Sequence, residues 1–186
     1  MSKLRLQKKT LEHDLFDKPI RALTINSKNK GDSNERECCK WLYKWTGKRF
    51  IRTPSSGGRR LENNSSFCGD VVCEDEKFNF RYAVETKHLA NLKISHGDSS
   101  SYNSIYKIWQ QAQGDAVRAL KAPLVMVRVN GQAKGVYMIC TTDERFVSIM
   151  FMQDVPMLRT YSFINGETIY AYSSVEVLQV PYAYLY

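Results

Sequence analysis

The alternation of side chains over residues 69–87 predicts a β-hairpin, with one strand before and one strand after the charged turn 74–77. Successive side chains point to opposite faces of a strand, so Glu85 and Lys87 of the second strand share one face. Antiparallel pairing could bring Asp70 of the first strand next to them. We therefore expect two carboxylates and an amine to converge at one edge of a sheet.

Apolar residues three and four positions apart predict a helix that starts at residues 32–34 and ends at Gly47. Its buried stripe comprises Cys38, Trp41, Leu42 and Trp45. Glu35 lies one turn before this stripe and leans towards the buried side. It is either a carboxylate that reaches the site from a packed helix or part of a capping box with Asp32.

The same helical spacing recurs over residues 101–120 and predicts a second helix. Its stripe comprises Ile105, Ile108, Trp109, Ala112, Ala116 and Leu120. Gln111 and Gln113 lie at opposite edges of this stripe, where a glutamine can hydrogen-bond a substrate backbone or simply be solvated.

Shorter patterns predict the remaining elements and the division of the chain. Further strands are expected at 49–52, 124–129 and 136–139, a short helix from Thr141 and Glu144 to 152, and a hairpin over 161–170. The chain divides into an N-terminal extension (1–30), a core (31–152) and a C-terminal hairpin extension packed on that core (153–186). The first segment is either a DNA-binding arm, a dimer contact or a frayed terminus.

The net charge of +8 over 186 residues favours a polyanionic partner. Seven basic residues and no acidic one fall between Lys40 and Arg60, which is typical either of a solvated basic face or of a nucleic-acid contact. Within this run, the loop 53–60 offers serines, backbone amides and arginines to a phosphate.

Two features limit the class of protein. No stretch is long and apolar enough to span a membrane, so we expect a soluble protein of the cytoplasm. The five cysteines are odd in number and lack Cys-x-x-Cys spacing. Free buried thiols are therefore expected, with a zinc site as the less favoured alternative.

A carboxylate pair beside a lysine suits phosphodiester hydrolysis. Mg²⁺ binds through one or two carboxylates and leaves its other positions to water and a substrate phosphate. The metal lowers the pKa of its water, and a lysine can orient or deprotonate that water or hold the charge that develops on the phosphate. On these residues alone, an ordinary surface ion pair between Glu85 and Lys87 is an equal alternative.

A series of short motifs runs in order through about residues 30–150. The motifs are Lys30-Gly31, Glu35-Arg36-Glu37, Gly47, Arg52, Ser55-Ser56-Gly57-Gly58, Gly69-Asp70-Val71, Glu85-Thr86-Lys87 and Trp109-Gln110-Gln111-Ala112. In this order they resemble the PD-(D/E)XK nuclease superfamily, and most of all its archaeal and phage-type Holliday-junction resolvase branch. One departure is the glycine that precedes Asp70, where the family has a proline.

The resemblance implies a restriction-endonuclease-like α+β fold, in which helices flank a central mixed sheet, and hydrolysis of DNA that depends on Mg²⁺, with Mn²⁺ as a substitute. It implies that Asp70, Glu85 and Glu35 hold the metal and that Lys87 positions or activates the attacking water. The expected DNA contacts are Arg52, Ser55, Ser56, Arg59, Arg60 and Gln111. It also implies a homodimer that makes paired nicks in branched junction DNA.

Other functions stay open. A nuclease of the same fold that acts on ends, flaps or nicks would carry the same residues. A DNA-binding module with an inactive nuclease site is a second possibility, although such sites usually lose one of the residues equivalent to Asp70, Glu85 and Lys87. An RNA-processing nuclease is a third.

Overall fold

The computed structural model describes residues 27–53, 68–90, 92, 99–163 and 165–185. Its elements in chain order are α1 (Ser27–Thr46), β1 (Phe50–Arg52), β2 (Val71–Cys73), β3 (Tyr82–Leu89), α2 (Ser99–Ala119), β4 (Ala122–Val129), β5 (Met138–Thr141), α3 (Glu144–Met152), β6 (Met157–Ser162), β7 (Thr168–Ser173), α4 (Ser174–Val177) and a 3₁₀ turn (Tyr182–Leu185).

Seven strands form one mixed sheet in the order β1-β2-β3-β4-β5-β7-β6. β3 and β4 pair in parallel, and the other neighbouring strands pair antiparallel. A parallel pair needs a long connection, which is why α2 crosses over between two adjacent strands. The predicted α+β fold, with a mixed central sheet flanked by helices, is confirmed.

The two faces of the sheet are covered by different helices. α1 covers one face, where Trp41 packs in the same core as Val84 and Met126. α2 covers the other face, where Trp109 packs in the same core as Val125. Since successive side chains of a strand alternate between faces, β3 and β4 contribute to both cores and are buried over most of their length.

α1 begins at Ser27, so the predicted start at residues 32–34 is wrong. The polar residues there make tertiary contacts instead of capping the helix: Asp32 and Asn34 both bind side chains of the sheet. The predicted end is confirmed, because Gly47 adopts the left-handed φ of +70° that commonly terminates a helix.

α3 is capped by Asp143, not by the predicted Thr141. The Asp143 side chain accepts from the Arg145 backbone N–H, as an N-cap does. Thr141 is the last residue of β5, and its hydroxyl oxygen accepts from the Asp143 backbone N–H. The sequence therefore identifies the helix correctly and its capping residue two positions too early.

The predicted C-terminal hairpin is confirmed as β6 and β7, which pair antiparallel. β7 also pairs with β5, so the hairpin extends the central sheet. Glu167, next to its turn, accepts hydrogen bonds from Trp109 Nε1 (2.9 Å) and Gln113 Nε2 (2.6 Å). These two bonds hold the hairpin against α2.

The aromatic tail folds back on the core, as the sequence predicts. Tyr182 is buried, and its ring lies 4.9 Å from that of Trp45 and 5.4 Å from that of Phe80, measured between ring centroids. Its hydroxyl also accepts from the Arg81 backbone N–H at 3.0 Å. The tail thus closes the core beside the beginning of β3.

The structure also bears on the membrane and cysteine expectations. Within the described residues, no helix is long and apolar enough to cross a membrane. All five cysteines carry free thiols, with Cys38 and Cys140 buried and the other three partly exposed.

An ion pair between half-exposed Arg81 and buried Asp143 joins the beginning of β3 to α3. Arg81 donates to Asp143 through Nε (2.6 Å) and Nη2 (2.8 Å), and the Tyr82 hydroxyl donates to the same carboxylate at 2.9 Å. Burial acts to raise the pKa of Asp143, but the hydrogen bonds from Arg81 and Tyr82 outweigh it and hold that pKa below its usual range.

We expect Asp143→Ala to lower the free energy of unfolding by about 3 kcal/mol, because it removes a helix cap and leaves Tyr82 and Arg81 without their acceptor. Urea denaturation at neutral pH measures this loss. Glu144→Ala, at the exposed neighbouring position, is the control and should change stability little. Equal stabilities of the two variants would contradict the prediction.

Candidate active site

The predicted hairpin of β2 and β3 is confirmed, and Asp70 lies where the two strands separate. Val71 pairs with Val84, and the Asp70 backbone N–H donates to the Val84 carbonyl oxygen at 2.8 Å. Beyond this point the Asp70 carboxylate accepts from the Thr86 backbone N–H, also at 2.8 Å. The Asp70 side chain thus accepts the hydrogen bond that the backbone of a paired strand would otherwise accept, and it is fixed against the centre of β3.

The glycine before Asp70 has a steric reason. Gly69 adopts a φ of +93°, and a Cβ atom added there would lie 2.6 Å from the Val84 carbonyl oxygen, closer than such atoms approach. A proline or any other side chain would therefore displace the first strand from β3. Glycine therefore replaces the family's proline because this chain needs a close backbone approach to bring Asp70 to β3.

Glu85 and Lys87 share a face of β3, as predicted, and the Lys87 Nζ lies 2.5 Å from Glu85 Oε1. Glu85 is 1% exposed, which excludes an ordinary surface ion pair. Although the ammonium group is close, neither Glu85 oxygen has a hydrogen bond of acceptable geometry among the described residues. The carboxylate is therefore buried with most of its capacity to accept hydrogen bonds unused.

The protonation of this group reflects its surroundings. Burial, and then the charge of Asp70, raise the pKa of Glu85 to about 8 against the opposing effect of Lys87. Burial also raises the pKa of Asp70, which the Thr86 amide opposes. Burial acts to lower the pKa of Lys87, but Glu85, Asp70 and Glu35 outweigh it and raise that pKa, so the amine is protonated.

Glu35 lies on α1 at the border of this group and is bound by Arg52 of β1. The Arg52 Nε donates to Glu35 Oε2 at 2.5 Å, and its Nη2 donates to Asp32 Oδ1 at 2.7 Å. Glu35 still raises the pKa values of Asp70 and Lys87, so it lies within electrostatic reach of both. Arg52 thus holds the acidic end of α1 against β1. The predicted contact of Arg52 with DNA stays a prediction.

Sequence reasoning missed a polar chain beneath the site. Asn34, 1% exposed, donates to the Thr86 hydroxyl at 2.8 Å, and that hydroxyl donates to the Met126 carbonyl oxygen at 3.2 Å. Because the Thr86 backbone N–H binds Asp70, these bonds connect α1 to the candidate site. The available signal was the position of Asn34, one turn before Cys38 in the apolar stripe.

A second missed residue is Asp115 of α2. Its charge adds to the raised pKa values of both Asp70 and Glu85, so it lies near both carboxylates, and it forms an ion pair with Arg118. Gln111 is exposed one turn earlier on the same helix. Its predicted contact with substrate stays a prediction.

Four of the predicted DNA contacts lie outside the described residues: Ser55, Ser56, Arg59 and Arg60. The described residues on either side of that segment are next to the site. The Thr53 hydroxyl donates to the Gly69 carbonyl oxygen at 2.8 Å, and the Thr53 backbone N–H donates to the Asp70 carbonyl oxygen at 3.0 Å. Thr53, which precedes the basic segment, therefore contacts Gly69 and Asp70, which follow it in the chain.

The donor atoms of this site suit a hard divalent cation. Within the described part of the chain, no three His, Cys, Asp or Glu side chains form a metal-binding group. Mg²⁺ needs fewer protein ligands, since one or two carboxylates suffice when water and a substrate phosphate supply the rest. The Asp70 carboxylate and the unsatisfied oxygens of buried Glu85 meet that requirement.

Asp70, Glu85 and Lys87 gather where β2 and β3 of the mixed sheet separate. This arrangement defines a restriction-endonuclease-like nuclease fold. Residues 26–179 match the family model described as "Phage putative PDDEXK endonuclease". The match covers most of the chain, which therefore belongs to this PDDEXK endonuclease family. Searches of curated proteins and of solved structures give no significant match.

We expect Glu85 to make the stability of the metal-free protein fall as the pH rises. Folded Glu85 keeps its proton up to about pH 8, whereas an unfolded glutamate loses it at about 4.3. Between these values the folded state binds more protons, so the free energy of unfolding falls by at most about 1.4 kcal/mol per pH unit from this group. Glu85→Gln should lack this contribution.

Urea denaturation in EDTA between pH 5 and pH 8.5 would measure the effect. The stability of the wild type relative to Glu85→Gln should decline across this range. Glu76→Gln, in the exposed turn of the same hairpin, is the control and should follow the wild type. Parallel curves for the wild type and Glu85→Gln would contradict the raised pKa.

Proposed function

We propose that the protein is a Mg²⁺-dependent DNA endonuclease, selective for branched DNA, that acts as a homodimer. The observation that carries the metal-dependent site is the buried Glu85 carboxylate, unsatisfied by hydrogen bonds and next to Asp70 and Lys87. To ionise a buried carboxylate of this kind costs free energy unless a ligand binds it. A divalent cation is the ligand whose chemistry fits two adjacent carboxylates.

Asp70 and Glu85 are the residues proposed to hold the metal, with Mn²⁺ as a substitute for Mg²⁺. When bound, the metal would supply Lewis-acid stabilisation of the scissile phosphate and a water of lowered pKa. The backbone of Thr86 orients one oxygen of Asp70 towards β3, which leaves the other oxygen for a ligand. Glu35, held by Arg52, would support the site from α1 through the waters around the metal.

Lys87 is proposed to position the attacking water and to stabilise negative charge on the phosphate. Its raised pKa keeps it protonated, so it donates hydrogen bonds and does not act as a base in this state. Its side chain is 35% exposed, whereas its partner Glu85 is buried. The ammonium group can therefore meet a substrate at the surface while its charge faces the carboxylates.

The proposed path of the DNA runs past the segment that contains Ser55, Ser56, Arg59 and Arg60. The ends of this segment are fixed beside Asp70 by Thr53, so its serines and arginines can reach a backbone that is bound at the site. Arg52 and Gln111 would border the same path from β1 and α2. These contacts bind phosphate and would carry little base specificity.

Selectivity for branched DNA rests on the likeness to junction resolvases, and the proposed dimer has a candidate surface. β6 is the last strand in the sheet order and exposes Met157 (48%) and Leu158 (55%). Phe151 and Met152 at the end of α3 are also exposed. An edge strand can pair antiparallel with its own copy across a two-fold axis, which would bury these apolar side chains.

We expect Asp70→Asn and Glu85→Gln each to slow DNA cleavage in Mg²⁺ roughly a hundredfold or more, because each removes a charged metal ligand. Asparagine can still accept from the Thr86 amide, and glutamine keeps the volume of Glu85, so both variants should fold and bind DNA. The measurement is cleavage of labelled four-way, Y-shaped, nicked and linear DNA, with EDTA as the metal-free arm.

Glu76→Gln is the control and should cut as fast as the wild type. Equal cleavage of all four DNAs would support a nuclease of the same fold without selectivity for junctions. Undiminished cleavage by either site variant would remove the assignment of the site. Binding of DNA without cleavage by the wild type, under every metal condition, would identify a binding module instead.

We expect Leu158→Lys to shift the protein from dimer to monomer, because a lysine on an edge strand opposes pairing with another strand. Light scattering at several protein concentrations would measure the mass. Tyr43→Lys changes another exposed apolar side chain, on α1, and should leave the mass unchanged. A wild-type mass of one chain at every concentration would contradict the dimer.

A further inference from the structure

Three basic side chains meet at the end of the sheet where β3 and β4 finish. His88 and Arg128 are register partners on the two parallel strands, and Lys30 approaches them from the first turn of α1. We call Lys30, His88 and Arg128 the basic cluster. Among the described residues, none of the three forms an ion pair with an acidic side chain.

The turn after β4 holds the basic cluster in position. Lys30 Nζ donates to Asn130 Oδ1 at 2.8 Å, beside the His88 ring. Arg128 Nη2 donates to the Gln132 carbonyl oxygen at 3.0 Å. The three groups are therefore brought together by the fold before any ligand binds.

Two atoms of the basic cluster lack a partner. His88 Nε2 and Arg128 Nε are buried, and neither has a hydrogen bond among the described residues. Burial, and then the charges of Lys30 and Arg128, lower the pKa of His88, which is consistent with a locally positive field. A buried donor without a partner commonly marks a bound water or ion, and an oxyanion at Arg128 Nε would match both that N–H group and the field.

The basic cluster borders the candidate active site. The His88 side chain lies on the face of β3 opposite to Lys87, the face that α1 covers, and Lys30 lies on α1 little more than one turn before Glu35. Asp70 and Glu35 place negative charge near it, and Glu85 adds to this charge when it loses its proton. A polyanion that approaches these acids is repelled unless nearby cations bind its phosphates.

We propose that the basic cluster binds a backbone phosphate of the DNA strand adjacent to the phosphate that is cut, with Lys30 and Arg128 as the principal donors. This inference rests on the proposed nuclease function and adds a contact outside the basic run of residues 40–60. The contact is to phosphate, so it would strengthen binding to DNA of any sequence.

The test is the salt dependence of DNA binding by the full chain in EDTA, where cleavage cannot interfere. Fluorescence anisotropy with a labelled duplex gives the binding constant between 50 and 300 mM salt. Each lost phosphate contact reduces the slope of log K against log salt by about 0.9. Lys30→Gln and Arg128→Gln should each show this reduction and bind roughly three- to tenfold more weakly at 50 mM salt.

Matched controls come from the opposite end of β3. Arg145 and Lys77 are exposed, the first beside the Arg81–Asp143 pair and the second in the hairpin turn before β3. Arg145→Gln and Lys77→Gln remove the same charges and should keep the wild-type slope. Arg128→Lys keeps the charge and should restore most of the slope, which a merely structural role of Arg128 would not explain.

The outcomes separate this inference from the proposed function. If the wild type cuts DNA in Mg²⁺ but the slopes of Lys30→Gln and Arg128→Gln equal those of the controls, the inference is wrong and the nuclease assignment stands. If the wild type neither binds nor cuts DNA, both are wrong. Because Lys30 is on the surface of α1, its variant tests the inference even if Arg128→Gln fails to fold.

Discussion

The burial of the Glu85 carboxylate is the constraint on which the rest of the site depends. A charged group with unsatisfied oxygens is expensive inside a protein, and burial raises its pKa to about 8. The group is held away from water, because β3 pairs with β4 over its whole length and is covered by helices on both faces. The hydrophobic cores therefore stabilise a fold in which the burial of the Glu85 carboxylate is unfavourable by itself, as is common where stability is exchanged for function.

The position of the acids is set by contacts that reach far from them. Asn34 connects α1 to Thr86, and the Thr86 amide fixes Asp70 where β2 leaves β3. Arg52 binds Glu35 and so fixes the first turns of α1 against β1. A shift of α1 would consequently move Glu35 relative to Glu85 and disturb the Asn34 contact with Thr86. The packing of α1 thus determines the geometry of the site as well as the stability of the fold.

Patterns within short segments of the sequence were sufficient to predict the helices and strands, but not the contacts between residues far apart in the chain. Alternation identified the hairpin that carries Asp70 and Glu85, and helical spacing identified the stripes of α1 and α2 except for Leu120. That residue was wrongly placed in the α2 stripe: it follows the end of the helix with a left-handed φ of +54° and is 94% exposed. Capping could not be assigned, because Asp32 and Asn34 have the side chains of good N-caps whether or not a sheet residue binds them. Asp115 was missed because its approach to Glu85 depends on how α2 crosses the sheet.

The two ends of β3 have different physical roles. At its beginning, Arg81 and Tyr82 bind Asp143 and the aromatic tail in contacts that are nearly saturated. Towards its end lie Glu85, with unsatisfied oxygens, and His88, with an unpartnered nitrogen. About 3.3 Å separates successive residues, so about 20 Å lies between the Cα atoms of Tyr82 and His88, with Glu85 about midway. Substitutions at the first end should therefore affect folding before chemistry, and substitutions at the second should affect binding and chemistry before folding.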